Sequence, residues 1–430
     1  MRYKSIDIGQ VRPKAPIRKE RIAGWVEEVR DLGKIKFLLV RDRTGSAQVT
    51  WKKGECPESI GETIGGLHQN DVVSVSGTVA RSEVSKRGVE IVPDEVLVLN
   101  RAKHPLPMDI AEEISTGLDV RLDFRPLDLM RPSKRLTFEV FSESMSVVRE
   151  FFRENGFVEV VTPRIISTAT EGGANLFNVE YFDKKVNLAQ SPQLYKEQLV
   201  MGLEKVVELG TYFRAEPFDS TRHLNEFVSL DIEVAFADCK DVMNILQDMI
   251  LRLSSEISAN GRLSAALVEG FRNVSAPIPI YTYEEVRKEL SEEGIEVGFG
   301  SDLSSEDLKR VEKFSSGPYF IVDWPQVAKP FYIKQKDGGD LTDSFDFMWG
   351  PLEVCSGGSR EEDRGKIERK LRAAKIDPSA FEEHLKFFTC GMPPHAGWGL
   401  GFNRLLMVMM GLGNIRETVL YPRDRFRITP

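Results

Sequence analysis

Cysteine is scarce in this 430-residue chain, and its four residues, Cys56, Cys239, Cys355 and Cys390, lie far apart. This spacing excludes a disulfide framework and a cysteine zinc site, and it is typical of reduced thiols in the cytoplasm. Long apolar runs are missing too, because no stretch approaches the roughly 18 residues of a membrane-spanning helix. The N-terminus lacks the apolar region of a signal peptide. We therefore expect a cytoplasmic protein without a membrane partner.

The familiar glycine-rich phosphate loops are also absent. The run from Gly397 to Arg404, Gly-Trp-Gly-Leu-Gly-Phe-Asn-Arg, is not followed by Gly-Lys-Ser/Thr, which excludes a Walker loop. Its pattern and flanking strand also differ from the dinucleotide fingerprint. The run does offer close backbone approach and leads into an apolar helix that has Arg404 in its first turn. It therefore indicates a different kind of anion site.

Charge is unevenly distributed along the chain. The net charge is −8, yet residues 1–104 hold 19 Lys and Arg against 14 Asp and Glu. The negative net charge of the full chain argues against non-specific binding along nucleic acids. The positive charge of residues 1–104 still permits a local nucleic-acid-binding surface. The chain is too long for one core and predicts two or three domains.

The N-terminal part consists of short strands separated by turns. We predict strands at Arg21–Val29, Lys36–Arg41, Ala47–Trp51, Asp71–Val79 and Val89–Leu99. Five strands in this length are typical of a small closed barrel of the OB type. The predicted boundaries are 1–104 for the barrel, 105–132 for a linker that contains prolines, and 133–430 for a second domain.

The second domain begins with a predicted helix at 134–154, where apolar residues recur at intervals of three and four. Gly156 stands where a helix C-cap belongs. We predict that a strand follows at Phe157–Val161, and that two central strands lie at Phe320–Val322 and Phe331–Ile333.

Residues 211–234 read as a strand, a polar loop and a second strand. The second strand places Val228, Leu230, Ile232 and Val234 on one face and Phe227, Ser229, Asp231 and Glu233 on the other. A sheet with one solvated face would give the same alternation. However, Arg214 and Arg222 bracket the loop, and Phe227 shares the polar face. Two guanidinium forks beside an aromatic ring suit a nucleoside triphosphate.

A further cluster lies at residues 352–360, where a strand ends in two glycines and an arginine. Glu353 and Ser356 could supply oxygens to a hard cation such as Mg²⁺ that is shared with substrate phosphates. A surface turn with a solvated arginine would explain the same residues, so the cluster alone leaves both interpretations open.

In combination, these segments resemble the class II aminoacyl-tRNA synthetases, specifically the aspartyl-tRNA synthetases of the archaeal and eukaryotic type. Residues 135–163 are similar to the family's motif 1, residues 211–234 to motif 2 and residues 397–412 to motif 3. The resemblance covers nearly the whole chain. It implies an α+β fold with an N-terminal OB-fold β-barrel and a catalytic domain built on an antiparallel β-sheet flanked by helices. Asn403 departs from the pattern, because most relatives carry Glu before the motif 3 arginine.

The resemblance implies ATP-dependent ligation of L-aspartate to tRNA(Asp) through an aspartyl-adenylate, with Arg214 and Arg404 as catalytic arginines. The positions that match the aspartate site are Glu171, Ser191, Gln193, Lys196, Arg214, Asp231 and Arg360. Those that match the ATP site are Arg214, Glu216, Arg222, His223, Leu224, Phe227, Glu353, Gly401 and Arg404. Glu353 and Ser356 match the family's Mg²⁺ ligands.

The resemblance also implies the choice of amino acid. Lys196, which ends the segment Gln-Ser-Pro-Gln-Leu-Tyr-Lys, matches the lysine that meets the substrate side-chain carboxylate in the aspartate enzymes, and Arg360 matches the arginine that forks onto it. A substrate carboxylate that leaves water needs charge-assisted hydrogen bonds, which both cations supply. Asparagine would bring amide donors toward them, at a cost on the order of several kcal/mol. The pair therefore favours aspartate and disfavours an asparaginyl-tRNA synthetase.

The resemblance also implies that motif 1 forms a homodimer and that the barrel binds the anticodon through Phe37, Gln48 and Glu90. Discriminating archaeal relatives carry a tryptophan just after a Gly-Trp-Val run, where this chain has Glu27. Glu27 therefore favours an enzyme that also charges tRNA(Asn) with aspartate. Two alternatives are disfavoured. An ammonia-dependent asparagine synthetase would lack the barrel, and a non-catalytic RNA-binding paralogue would not need the intact motif arginines.

Overall fold

The computed structural model describes residues 2–12, 19–167, 176–217 and 220–430. The chain divides into two compact units, Met1–Pro132 and Ser133–Pro430. Within the described ranges, no helix combines the length and apolar character needed to cross a membrane.

The first unit is a closed five-stranded barrel. Its strands are β1 (Lys19–Asp31), β2 (Ile35–Asp42), β3 (Gly45–Lys52), β4 (Val72–Arg81) and β5 (Val89–Asn100). They close in the order β1-β2-β3-β5-β4, and only the β3–β5 pair is parallel. Helix α1 (Glu58–Gly65) lies between β3 and β4 in the chain. Period-two alternation drives the fold, because inward residues such as Leu38, Val40, Val49 and Ile91 are fully buried.

Two short helices, α2 (Leu118–Asp123) and α3 (Arg125–Asp128), follow the barrel within the segment predicted as a linker. They share a buried ionic cluster. The Asp128 carboxylate accepts hydrogen bonds from Arg121 Nε at 3.0 Å and from Arg125 Nη1 at 2.9 Å. A buried carboxylate needs such partners, so the cluster ties α2 to α3.

The second unit is built on an eight-stranded sheet in the order β12-β13-β14-β15-β16-β11-β10-β6. Neighbouring strands are antiparallel except for the β12–β13 and β10–β6 pairs. The strands are β6 (Val158–Glu159), β10 (Lys205–Phe213), β11 (Glu226–Ala235), β12 (Ile280–Thr282), β13 (Pro318–Val322), β14 (Ser344–Trp349), β15 (Leu352–Ser359) and β16 (His395–Gly401). A smaller sheet contains β7 (Ile165–Ile166), β8 (Asn178–Tyr181) and β9 (Lys184–Leu188).

Helices flank the large sheet. They are α4 (Pro132–Glu154), α5 (Gln193–Leu203), α6 (Cys239–Ala259), α7 (Gly261–Ser264), α8 (Glu269–Arg272), α9 (Tyr283–Glu292), α10 (Ser305–Leu308), α11 (Glu312–Ser315), α12 (Arg364–Ala373), α13 (Glu382–Leu385) and α14 (Phe402–Met410). Residues of α4, α6 and α14 share one apolar core with Leu230, Ile232 and Val234 of β11. The opposite face of β11 is therefore left for the polar side chains of the site.

This architecture confirms the predicted α+β fold with a separate barrel. The strand predicted at Phe331–Ile333 is wrong. The Ile333 N–H donates to the carbonyl of Pro330 in a turn, and Ile333 makes only an isolated bridge to Arg360. Pro330 lacks an N–H group and its fixed φ favours such a turn. Strand β14, which was not predicted, lies beside β13 instead.

Candidate active site

The polar face of β11 is buried, which a merely solvated sheet face would not be. Asp231 is 3% exposed and Glu233 is fully buried. In the β11–β16 register, Asp231 pairs with Gly399 and Glu233 with Gly397. A Cβ atom at Gly397 would stand 2.2 Å from Glu233 Oε2, and one at Gly399 would stand 2.9 Å from Asp231 Oδ1. The alternating glycines of β16 therefore make room for two carboxylates beneath the site.

The two cations predicted to select the amino acid meet at Glu233. Arg360 donates Nε and Nη2 to the two Glu233 oxygens at 2.8 and 3.1 Å. Lys196 donates Nζ to Asp231 Oδ1 and to the Trp398 carbonyl, both at 3.0 Å, and lies 3.6 Å from Glu233 Oε2. Burial opposes the Arg360 charge, but Glu233 outweighs it and raises the Arg360 pKa. Arg360 borders the cavity, whereas Lys196 lies behind Asp231.

Most of the predicted site residues line a single cavity above these carboxylates. They are Ser191, Gln193, Arg214, Glu216, Arg222, His223, Leu224, Phe227, Asp231, Glu353, Ser356, Arg360, Gly401 and Arg404. Lys196 is 2% exposed and supports the cavity floor from behind. Glu171 lies outside the described residues.

The other end of the cavity is rich in cationic groups. The Arg214 guanidinium lies 5.4 Å from the centre of the Phe227 ring, and Arg404 Nη1 donates to the Glu353 carbonyl at 3.0 Å. His223 Nδ1 lies 2.6 Å from Ser220 Oγ. Burial, followed by the charge of Arg404, lowers the pKa of His223, so its imidazole is neutral at pH 7. This end therefore combines arginine charges with one neutral imidazole, which suits a polyphosphate.

A carboxylate and a hydroxyl from β15 face the same cavity. Glu353 and Ser356 both line it, and Ser356 Oγ lies 3.5 Å from Lys329 Nζ. Lys329 also contacts the buried Asp346 carboxylate at 2.6 Å. No group of three or more His, Cys, Asp or Glu placed to hold a metal occurs in the described part of the chain. Two oxygen donors in a cavity that arginines also line fit Mg²⁺, which keeps several waters and shares the oxygens of a bound phosphate.

Asn403, the departure from the motif 3 pattern, is buried and fully used. Its Oδ1 accepts the Val228 N–H at 2.8 Å, and its Nδ2 donates to Thr418 Oγ1 at 3.1 Å. The amide thus connects β11 to the segment near the C-terminus through one acceptor and one donor. An amide suits this position because it can accept a hydrogen bond from an N–H group and also donate one to an oxygen.

The residues predicted to contact an anticodon lie on the outer face of the barrel. Phe37 pairs with Thr50 across β2 and β3, and Gln48 pairs with Glu90 across β3 and β5. Thr50 Oγ1 and Gln48 Nε2 both donate to Glu90 Oε2, at 2.7 and 3.2 Å. The ring of Phe37 is half-buried, while the next residue along β2, Leu38, lies in the core. Glu27 accepts a hydrogen bond from Ser46 Oγ.

Sequence reasoning missed two residues that contact predicted site residues. Glu233 anchors Arg360, and its period-two relation to Asp231 and Phe227 was the signal that could have identified it. Lys329 bridges Asp346 and Ser356, but its partners are distant in sequence, so no local pattern indicated it.

An OB-like barrel and a largely antiparallel sheet that carries an arginine-rich cavity are typical of a class II synthetase. The family model described as "tRNA synthetases class II (D, K and N)" matches residues 117–425. A second model, "OB-fold nucleic acid binding domain", matches residues 20–99. The chain therefore belongs to the class II tRNA synthetases of the aspartate, lysine and asparagine group.

Comparison with individual proteins shows which members of this group the chain is similar to. The chain is 45% identical to an "Aspartate--tRNA(Asp) ligase" of Pyrobaculum aerophilum, over 95% of each sequence. It is 43% identical to an "Aspartate--tRNA(Asp/Asn) ligase" of Archaeoglobus fulgidus, over 98% of each. Among solved structures, the asparaginyl-tRNA synthetase of Pyrococcus horikoshii complexed with asparaginyl-adenylate covers all of both chains with a TM-score of 0.93 at 30% identity. The sequence is thus similar to archaeal aspartate ligases on a fold shared with an asparagine enzyme.

Proposed function

We propose that this protein ligates L-aspartate to tRNA(Asp) in two steps, through an aspartyl-adenylate. The observation that carries the proposal is Arg360, which borders a cavity also lined by Arg214, Arg222 and Arg404 and is held there by Glu233, with Lys196 adding positive charge from behind Asp231. A cation pair suits a substrate with a second carboxylate, and the arginine-rich end suits ATP. The similar aspartate ligases support the same reading. The shared fold alone would equally suit asparagine, so the preference for aspartate is supported by the similar aspartate ligases and by the positive charge of Arg360 at the cavity.

The chemistry requires positioning and charge neutralisation rather than a protein base. The aspartate α-carboxylate is already ionised, attacks the α-phosphorus of ATP and expels pyrophosphate. Arg214 would hold the α-phosphate and that carboxylate, Phe227 would stack on adenine, and Arg404 would neutralise the γ-phosphate. The terminal adenosine of tRNA then attacks the adenylate carbonyl and releases AMP.

The remaining cavity residues would orient the two substrates. Ser191, Gln193 and Asp231 would bind the aspartate, as would Glu171. Glu216 would contact the adenine amino group, and Arg222 and His223 the outer phosphates, with Leu224 and Gly401 shaping the nucleotide end. Glu353 and Ser356 would hold Mg²⁺, which neutralises phosphate charge when bound.

Amino-acid-dependent exchange of pyrophosphate into ATP, measured without tRNA, tests this function. We expect exchange with aspartate and little with asparagine, because the amide would present donors to the Arg360 guanidinium that borders the cavity. Exchange with asparagine alone would instead favour an asparaginyl-tRNA synthetase. No exchange with either amino acid would favour a non-catalytic RNA-binding protein.

We further propose that the outer face of the barrel binds the anticodon, with a base stacked on Phe37 and base edges read by Gln48 and Glu90. The neighbouring Glu90, Gln48 and Thr50 side chains already form a polar patch beside that ring. Single-stranded bases stacked on exposed aromatic rings are a common mode of RNA recognition.

A Phe37→Ala variant is expected to charge tRNA about 10- to 100-fold less efficiently, because stacking contributes about 1–3 kcal/mol per base. Pyrophosphate exchange should stay unchanged, since Phe37 lies in the barrel unit. Aminoacylation and exchange assays on the same preparation separate the two effects. The control is Leu97→Ala, a partly exposed residue of β5. Loss of exchange in Phe37→Ala would contradict the division of labour.

We also propose that the enzyme charges tRNA(Asn) with aspartate. Glu27 follows Gly-Trp-Val at the position where discriminating relatives tend to carry a tryptophan. Aminoacylation of purified tRNA(Asp) and tRNA(Asn) transcripts under matched conditions tests this proposal. We expect comparable charging of both with aspartate. A large preference for tRNA(Asp) would show that Glu27 does not mark a relaxed enzyme.

A homodimer is proposed through the segment that resembles motif 1. Strand β6 forms one edge of the large sheet. Val158 on β6 and the nearby Val161 and Ile165 are 43%, 89% and 46% exposed. An open sheet edge with apolar neighbours favours pairing with a second copy.

A further inference from the structure

A fully buried carboxylate, Glu197, lies next to the amino-acid end of the cavity, and the mechanism above does not use it. Glu197 is one turn beyond Gln193 on α5, and Gln193 Nε2 donates to its Oε1 at 2.5 Å. Its other oxygen, Oε2, lies 3.3 Å from His384 Nε2 and 3.9 Å from His395 Nε2. Among the described residues Oε2 has no hydrogen-bond partner, so the carboxylate is held by its bond from Gln193 and by the nearby imidazoles.

The hydrogen bonds of the two imidazoles indicate how they balance Glu197. His395 Nδ1 lies 2.8 Å from the Pro393 carbonyl, which only accepts, so this nitrogen carries a proton. Its Nε2 lies 3.9 Å from Glu197 Oε2, too far for a hydrogen bond, so the two groups interact through their charges. His384 Nδ1 lies 3.1 Å from Gln198 Nε2, and its Nε2 is the ring nitrogen nearer to Glu197.

The pKa shifts agree with this arrangement. Burial opposes the ionised form of Glu197, but His384 and His395 outweigh it and hold the Glu197 pKa well below its usual range. Burial likewise opposes the His395 imidazolium, but the Glu197 and Glu233 carboxylates raise the His395 pKa above its ordinary value. Arg360 is the other charged group that acts on Glu197. Glu197 is thus an anion at neutral pH.

An anion at this position determines which way the Gln193 amide points. A carboxylate has no hydrogen to donate, so Gln193 must turn its NH₂ group toward Glu197. Gln193 lines the cavity and is only 4% exposed. Its carbonyl oxygen is therefore the polar atom left for a ligand. A fixed acceptor beside Ser191 and Asp231 suits a hydrogen-bond donor, and the donor of an amino-acid substrate is its α-ammonium.

We propose that Glu197, compensated by His384 and His395, is a positioning residue that fixes the Gln193 amide so that its carbonyl oxygen receives the substrate ammonium. The inference rests on the proposed function, because it requires an amino acid in this cavity. It concerns recognition of the ammonium group, whereas Arg360 and Lys196 concern the side-chain carboxylate.

The test compares aspartate with succinate, which keeps both carboxylates and lacks the amino group. Glu197→Gln is nearly isosteric but allows the Gln193 amide to turn over. We expect the KM for aspartate in pyrophosphate exchange to rise about tenfold, the ratio for loss of one charge-assisted hydrogen bond. The KM for ATP and the inhibition constant of succinate should stay within about twofold of the unsubstituted protein. Equal weakening of aspartate and succinate would overturn the proposal, because a merely structural defect affects both.

A double-mutant cycle tests whether Glu197 acts through Gln193. Gln193→Met removes the acceptor directly and should reproduce the aspartate effect without the succinate effect. If Glu197 acts only through Gln193, adding Glu197→Gln to Gln193→Met should cause no further loss of aspartate affinity. Additive losses would overturn the proposal, and Gln193→Met alone still tests the acceptor role if Glu197→Gln does not fold. Absence of aspartate-dependent exchange in the unsubstituted protein would overturn the proposed function instead.

Discussion

An Arg360→Lys variant is expected to lose about 10²- to 10³-fold in kcat/KM for aspartate, which lies within the roughly 2–5 kcal/mol lost when a buried, hydrogen-bonded charge pair is broken. The native guanidinium uses two nitrogens on Glu233 and still presents Nη1, which makes no hydrogen bond to the described residues. Lysine preserves the positive charge opposite Glu233, so the buried pair stays compensated and the fold is retained. It cannot hold Glu233 and a substrate carboxylate with the same planar fork.

The control for this prediction is Arg164→Lys. Arg164 donates to buried Glu208 at 2.6 Å and lies 4.2 Å from the centre of the Tyr212 ring, but it does not line the cavity. It should lower thermal stability slightly and leave aspartate kinetics unchanged. Steady-state exchange at varied aspartate and ATP measures both variants. An unchanged kcat/KM for aspartate in Arg360→Lys would contradict the assignment of Arg360.

An Arg214→Ala variant is expected to reduce aspartate-dependent exchange by about 10³-fold or more, the loss typical of removing a group that stabilises transition-state charge. The Arg214 guanidinium lies against the Phe227 ring at the arginine-rich end of the cavity. We place it where the α-phosphate and the attacking carboxylate meet. Both groups carry negative charge, so their approach depends on this cation.

The matched control is Arg372→Ala on α12, where an exposed arginine pairs with Glu368 at 3.0 Å. Exposed ion pairs contribute little to stability, so this variant should behave as the unsubstituted protein. Thermal unfolding of both variants checks that each is folded. Residual exchange within about tenfold of normal in folded Arg214→Ala would contradict its catalytic role, given the loss expected above.

Much of the fold could be predicted because its signals are local. The last barrel strand was predicted at Val89–Leu99 and spans Val89–Asn100, and the first helix of the second domain was predicted at 134–154 and spans Pro132–Glu154. Alternation and helical spacing are visible within a few residues. The error at Phe331–Ile333 arose because an aromatic, β-branched run resembles a strand, while a turn at Pro330 was what the tertiary structure required.

The sequence indicated many individual residues of the site, but it did not indicate which of them contact one another. The alternation of β11 placed Asp231 correctly on the polar face, yet it gave no indication that Glu233 would bind Arg360, which is 127 residues away. From the sequence, the glycines of β16 indicate a loop that leads into a helix. In the structure they leave space for the carboxylates of the neighbouring strand. Such relations depend on strand register, which a single sequence does not reveal.

The most direct measurement of the central claim is pyrophosphate exchange by the unsubstituted protein with aspartate and with asparagine, without tRNA. If Arg360 and Lys196 select a second carboxylate, aspartate supports exchange and asparagine at the same concentration supports at least about 10²-fold less, as expected when donors face donors. Equal exchange with the two amino acids, or a preference for asparagine, would contradict the account.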